Sequence, residues 1–394
     1  MLIAIPAEVL PGEFRVAATP ETIKKLIKAG HTVRVESKAG QHAAITDTAY
    51  TEAGAEIAPH PAALYQGAQL ILKVRAPLAH ELPLLPERAA LVALFDIHRY
   101  DHLDALNAKQ ISAYALELIP RITRAQSMDV LSSQANIAGY RAVLLATQYY
   151  PRFMPMLMTA AGTVKPARVL ILGAGVAGLQ AIATAKRLGA IVEVFDVRPA
   201  TREQVESLGG KFIEVALNDD EKAAAETAGG YAREMSEDYK LRQALLIDQQ
   251  ARLADIIIST AQIPGKAAPV LIPEETVSGM KTGSVIIDLA VDSGGNCPLS
   301  RSDEVVRSEN GVIIVGHSNL ASLLAADASA LYARNLLTFL SLLQDADGAY
   351  APHNDDEIIK ATLLSQHGEQ LFGRAPAHTQ GASAPHTSQP TANA

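Results

Sequence analysis

Short apolar runs alternate with amphipathic stretches along most of this chain. Residues 2–5, 31–36, 68–74, 89–95 and 111–115 are runs of strand length. Between the first two, ETIKKLIKAG repeats apolar residues at helical spacing, opened by Pro20 and Glu21 and closed by Gly30. The pattern then restarts. Residues 168–172, 191–195, 211–215, 254–259, 284–289 and 313–315 form a second strand series, with a helical stretch over 179–188 and Gly189 as its C-cap. Residues 325–343 read as a long helix returning to the first series, and 358–364 as a short apolar run. Strands alternating with helices predict an α/β fold with parallel sheets, in two units. The expected division is 1–133 for the first, completed by about 325–372, and 134–324 for the second. From 373 to 394 the chain is rich in Ala, Pro, Ser, Thr and His without apolar periodicity, so a disordered tail is expected there.

Only the second series carries chemistry in its first turn. ARVLILGAGVAGLQ places Gly173, Gly175 and Gly178 in G-x-G-x-x-G spacing, after a strand and before a helix. The first glycine permits the sharp turn, the second lets a pyrophosphate approach the backbone, and the third lets the helix pack on the sheet. Asp196 ends the next strand, where a carboxylate accepts hydrogen bonds from a ribose and repels a 2′-phosphate, favouring NAD over NADP. Arg198 beside it reads as a solvated or phosphate-facing arginine. A purely steric glycine turn is the bland alternative, but strand, helix and acid are all present. The first series is expected to form a second α/β unit, without the glycine fingerprint.

Composition narrows the partners. A formal net charge of −8 argues against nucleic acid. One cysteine, Cys297, excludes an internal disulfide and a cysteine metal cluster. His378 and His386 are too sparse to argue for a metal site, so none is expected. No run of 18 apolar residues exists, so no membrane span is expected, and MLIAIPAE reads as a strand rather than an export leader.

Other candidates are polar segments. Arg15, in the first loop, is a candidate contact for an anion or the neighbouring domain, or a surface arginine. RITRAQSMDVLSS, residues 121–133, is dense in hydrogen-bonding groups. Gln126, Asp129 and Ser132 (or Ser133) recur every three residues, which on a helix gives one face. They read as a platform for a carboxamide and ribose, or Asp129 or Ser127 is simply an N-cap. The segment NDDEKAAAETAGGYAREMSEDYK is long for a connection and reads as a lid, with Tyr231 after Gly229 and Gly230 closing over a nucleotide, or as a surface loop. TAQIPGKAAP, with Ala261 and Gln262, and AVDSGGNC put small residues where a crevice needs close approach to a cofactor.

At RAQSMD the chain resembles the alanine dehydrogenase and transhydrogenase superfamily. The fuller resemblance is to the NAD(H)-binding component of proton-translocating transhydrogenase. It runs over roughly residues 1–372, through PGEFRVAATPE, ALELIPRITRAQSMDVLSSQ, MTAAGTVKPARVLILGAGVAGLQ, DVRPATREQ, AETAGGYAREM, IPGKAAPVLI and GSVIIDLAVDSGGNCPLS. The resemblance implies NAD(H) on this chain and hydride transfer to NADP(H) on a partner subunit, in an Si-specific transhydrogenase coupled to proton translocation. It implies two Rossmann-like α/β domains with parallel sheets and the cofactor in the interdomain cleft, a homodimer, membrane-spanning and NADP(H)-binding partners, and a cytoplasmic location at the inner face of the plasma membrane. Arg121, Gln126, Asp129 and Ser132 match the residues around the nicotinamide. Gly173, Ala174, Gly175, Val176, Ala177 and Gly178 match the pyrophosphate turn; Asp196, Val197 and Arg198 the ribose end; Gly230 and Tyr231 the closing loop. Alanine dehydrogenase, the competing relative, wants a lysine and a histidine in the first domain. The lysine position of its K-V-K-E-P reads Arg75 here, with Lys73 on the same strand face. The histidine region reads Asp96, with His98 two residues on. A charged strand-end cluster is the preferred reading of Lys73, Arg75 and His98. A non-catalytic NAD(H) sensor is the third possibility.

Overall fold

The computed structural model describes residues 1–215, 236–263 and 265–372. Its strands are β1 (Leu2–Ile5), β2 (Thr32–Glu36), β3 (Glu56–Ala58), β4 (Leu70–Arg75), β5 (Ala90–Leu94), β6 (Ser112–Ala115), β7 (Leu157–Thr159), β8 (Gly162–Val164), β9 (Arg168–Leu172), β10 (Ile191–Phe195), β11 (Lys211–Ile213), β12 (Ile256–Ser259), β13 (Val285–Asp288), β14 (Val305–Arg307), β15 (Ile313–Val315), β16 (Leu363–Gln366) and β17 (Glu369–Gln370).

Two sheets hold nearly all of them. The first runs β17-β16-β6-β5-β4-β1-β2-β3, the second β11-β10-β9-β12-β13-β15-β14. Strands β1 to β6 pair in parallel throughout, as do β9 to β13 and β15. Each sheet thus reverses its winding once, between β1 and β4 in the first and between β9 and β12 in the second. A ligand crevice opens outside the carboxyl ends of the strands at such a point. The central strands ALVAL, IIIS and VIID are buried along their whole length. Continuous apolar runs are what a parallel strand covered on both faces requires.

Two long helices join the sheets. Val130–Tyr149 leaves the first unit and packs on Val176–Arg187, the helix after the glycine turn. Ala325–Leu340 returns, burying Tyr332, Leu336 and Phe339 in the first core. Ile137 from the outgoing helix and Ala328 from the returning one meet in a small cluster with Ala321.

Several elements differ from the sequence reading. The helix expected over 325–343 ends at Leu340. The apolar run 358–364 is split: Glu357–Thr362 is a short helix, capped by Asp356 accepting from the Ile358 N–H at 2.8 Å, and β16 follows, antiparallel to β6. β14 and the β7–β8 hairpin have no counterpart in the apolar pattern. They lie at an edge or outside both cores, with β7 exposed throughout. No described helix is long and apolar enough to cross a membrane.

Candidate functional site

The glycine turn is built as its spacing demands. Gly173 has φ +101°, which only glycine adopts without strain. A Cβ on Gly178 would stand 1.9 Å from the Gly173 carbonyl oxygen, so the helix sits on the turn only because that atom is missing. Gly175 is different: among the described residues, nothing lies within 4 Å of where its Cβ would be. Its backbone borders open space at the head of the Val176–Arg187 helix, whose N-cap has no side-chain hydrogen bond. The first-turn N–H groups of Val176, Ala177 and Gly178 have no carbonyl one turn earlier in the helix. That combination, donors plus room, fits a pyrophosphate.

Asp196 lies at the adjacent strand end, nearly buried. It accepts from the Ala174 N–H at 2.7 Å and the Arg198 N–H at 2.8 Å. Arg198 is solvent-exposed, as the sequence suggested, and is also paired with Asp196. Its Nε and Nη2 both donate to the Asp196 carboxylate at 2.9 Å. Burial pushes the Asp196 carboxyl up, but the guanidinium and the two N–H groups more than offset this and hold it low. The negative field that was expected to repel a 2′-phosphate is therefore partly neutralised. Val197 beside it is exposed.

The floor of the crevice comes from the end of β12. Thr260 Oγ1 donates to the carbonyls of Leu172 and Gly173, at 3.2 and 3.1 Å, pinning the turn. Ala261 follows, and the Gln262 amide donates to the Leu289 carbonyl at 2.7 Å. Gly230 and Tyr231 lie outside the described residues.

The first unit supplies the facing wall. Residues beyond β5 meet residues beyond β12 and β13: His98 stands against Gly265, and Arg99 donates to the Asp292 carbonyl. Glu117 shapes that loop by accepting from the Phe95 and Ile97 N–H groups, both within 3.3 Å. The loop beyond β1 is tied to three elements at once. Arg15 is buried, not a surface arginine. It forks onto Glu13 at 2.7 and 2.6 Å and reaches Gln134 of the outgoing helix at 2.8 Å. Asn319, beyond β15, donates to Glu13 at 2.9 Å. Burial raises the Glu13 carboxyl, but Arg15, Arg75 and Asn319 prevail and bring it down to about 2.

Lys73 is fully buried. Its Nζ donates to Glu81 at 2.7 Å and stands 3.5 Å from Glu8. Burial would lower this ammonium's pKa; the two carboxylates more than reverse that and raise it. Arg75, two residues on, lies past a shift in the β4–β5 register. Arg75 pairs instead with Glu13 at 3.2 Å. His98 lies off the strand. β5 ends at Leu94, Asp96 takes φ +53°, and His98 is exposed in the loop.

The segment 121–133 is not one helix. Thr123–Met128 is a 3-10 turn, Asp129 takes ψ 89° as N-cap, and the α-helix starts at Val130. Gln126, Asp129 and Ser132 therefore sit on three successive local structures rather than one helical face. Asp129 caps the helix, accepting from the Ser132 N–H at 2.9 Å and its hydroxyl at 2.6 Å. Ser127 is not the cap; its carbonyl accepts from Asn335 of the returning helix at 2.7 Å. Gln126 and Arg121 are exposed. Sequence reading missed Thr260, Gln134, Asn319, Asn335 and, above all, Gly139. A Cβ on Gly139 would lie 2.0 Å from the Ala177 carbonyl oxygen. The signal was there, since a lone glycine inside a helical pattern marks close packing.

Residues 4–138 match the family model for the N-terminal domain of alanine dehydrogenase/PNT, and residues 142–372 the model for its C-terminal domain. The chain is 53% identical over 375 residues to the first part of NAD(P) transhydrogenase subunit alpha of Rhodospirillum rubrum, covering 93% of this chain and 97% of that one. It is 30% identical to alanine dehydrogenase of Methanococcus maripaludis, over 89% of this chain and 88% of that one. The crystal structure of transhydrogenase from Sinorhizobium meliloti superimposes with a TM-score of 0.85 at 45% identity, covering 94% of this chain and all of that one.

Proposed function

The chain belongs to the alanine dehydrogenase/PNT family, and on that premise we propose that it is the NAD(H)-binding component of a proton-translocating NAD(P) transhydrogenase. Bound NAD(H) supplies a hydride at its nicotinamide, exchanged directly with NADP(H) on a partner subunit. This chain's residues bind and orient. The donors ahead of Val176–Arg187 and the space at Gly175 receive the pyrophosphate. Asp196, Val197 and Arg198 take the ribose end, and Ala261 and Gln262 form the floor. Gln126, Asp129 and Ser132 hold the nicotinamide end, with Arg121 stabilising their arrangement or the partner's nucleotide.

One observation carries the choice between transhydrogenase and amino-acid dehydrogenase. Lys73 is sealed between Glu81 and Glu8, and His98 stands apart on the exposed loop. Among the described residues, these two therefore do not pair in the crevice wall to move a proton. Direct hydride exchange needs no such pair: it needs two nicotinamide carbons about 3–3.5 Å apart with aligned orbitals. The Rhodospirillum relative is named as one part of a subunit alpha, which supports further polypeptides as partners. These include membrane-spanning and NADP(H)-binding subunits that keep this chain at the inner face of the plasma membrane. Exposed Phe153, Met156, Leu157 and Met158, at and before the β7–β8 hairpin, support a homodimer through that surface.

Replacing Gln126 by Ala or Asp129 by Asn tests the nicotinamide assignment. The transfer rate at saturating NADH falls more than NADH affinity, because only interactions made in the transition state act at saturation. Equal losses in both would remove these residues from the nicotinamide end.

A further inference from the structure

Beside the crevice floor lies a polar group that nothing so far has used. Asn296 is completely buried in the loop after β13. Its Nδ2 donates to the carbonyls of Ala261, at 2.9 Å, and Pro269, at 2.8 Å. Its Oδ1 accepts from the Ser259 hydroxyl at 2.6 Å. Its own carbonyl accepts from the N–H groups of Leu271 and Ile272, at 2.9 and 3.0 Å. One residue thus holds both ends of the irregular segment that leaves β12. Asn296 is itself fixed from behind, since the Asp288 carboxylate accepts from the Cys297 N–H at 3.1 Å, from the Ala290 N–H at 3.0 Å and from the Ser300 hydroxyl at 2.7 Å.

The arrangement matters because of where Ala261 stands. It is two residues beyond the carboxyl end of β12, on one side of the switch point, while Gly173 directly follows β9 on the other. Thr260 binds the Gly173 turn directly, so the height of the floor against the turn is set there. Among the described residues, the segment beyond Thr260 joins no strand ladder. A buried carboxamide with both donors engaged in one rigid geometry holds it instead.

We infer that Asn296 is a positioning residue for the bound dinucleotide: through Ala261 it fixes the crevice floor against the glycine turn. This rests on the NAD(H) reading above. The residue touches no substrate and acts only through the backbone it holds.

The test compares Asn296→Ala and Asn296→Asp with the full wild-type chain by NADH fluorescence titration, together with the transfer rate at saturating NADH. Aspartate keeps the size and the acceptor for Ser259 but loses both donors. If the donors position the floor, both variants raise the NADH Kd, on the order of tenfold, while the rate at saturation falls by less. A merely space-filling role would leave Asn296→Asp close to wild type. Ser259→Ala removes one anchor without touching the donors, and should raise Kd in the same direction by a smaller factor. It stands in if the Asn296 variants do not fold, and an unchanged Kd there overturns the inference. Unchanged Kd in folded Asn296 variants overturns it equally. Failure of the wild-type chain to bind NADH would instead overturn the functional reading beneath it.

Discussion

Substituting Gly139 by alanine should uncouple the two ends of the nucleotide site without touching either. The outgoing helix carries Asp129 and Ser132 at its head and crosses the fingerprint helix at Gly139. The new Cβ would lie 2.0 Å from the Ala177 oxygen, 2.8 Å from its carbonyl carbon and 2.9 Å from its Cα. All three are backbone atoms, so no side chain can swing aside. An ordinary carbon–oxygen contact is roughly 3.3 Å, so the helices must separate by over ~1 Å. Overpacking of this kind costs about 1–3 kcal/mol, which for a chain of 394 residues lowers the thermal midpoint by roughly 1 °C per kcal/mol. A misplacement of about 1 Å between the groups that hold a reactant can cost on the order of 10²-fold in rate. The pyrophosphate turn and the 121–133 segment each stay intact and only their separation changes. NADH affinity measured by fluorescence should therefore fall less than the hydride-transfer rate measured with the NADP(H)-binding partner. A Gly139→Ala protein with wild-type midpoint and wild-type rate would refute the reasoning.

Lys73→Met should destabilise the fold by about 3–5 kcal/mol, because Glu8 and Glu81 lose the cation between them. Urea denaturation reads this loss; a stable variant lacking only activity with pyruvate and ammonium would return Lys73 to catalysis. Acid should loosen the same wall. Glu13 sits at about 2 in the fold, below the ordinary 4.5, so its contribution is full above pH 4.5 and is lost as pH falls toward 2. The shift corresponds to about 3 kcal/mol. Glu13→Gln should be less stable at neutral pH and flatter across that window, as read from urea midpoints against pH.

The second unit was legible because its signal is local. The strand, three glycines, helix and acid of 168–196 each require their residue type for a backbone or packing reason, and the structure places them together. The first unit was legible as a strand series, but its sheet is completed by β16, roughly 250 residues after β6, and no local pattern announces that pairing. The β7–β8 hairpin escaped because its apolar residues point outward, so period-2 burial never appears. Gln126, Asp129 and Ser132 do not share the helical face that their spacing suggested, since a cap with ψ 89° breaks the helical phase. The pairing of Arg198 with Asp196 was not legible, because a fork onto a carboxylate two residues away depends on the turn and not on charge alone. Lys73 and Glu81 lie eight residues apart in sequence, but the second carboxylate beside Lys73, Glu8, comes from another strand end, which only the folded sheet brings in.

The measurement that tests the central claim most directly is NADH oxidation by NADP+ or an analogue, with and without a purified NADP(H)-binding transhydrogenase component. The account predicts a rate only when that partner is present, and no turnover of NADH by pyruvate plus ammonium. Turnover with pyruvate and ammonium, and none with the partner, would contradict it.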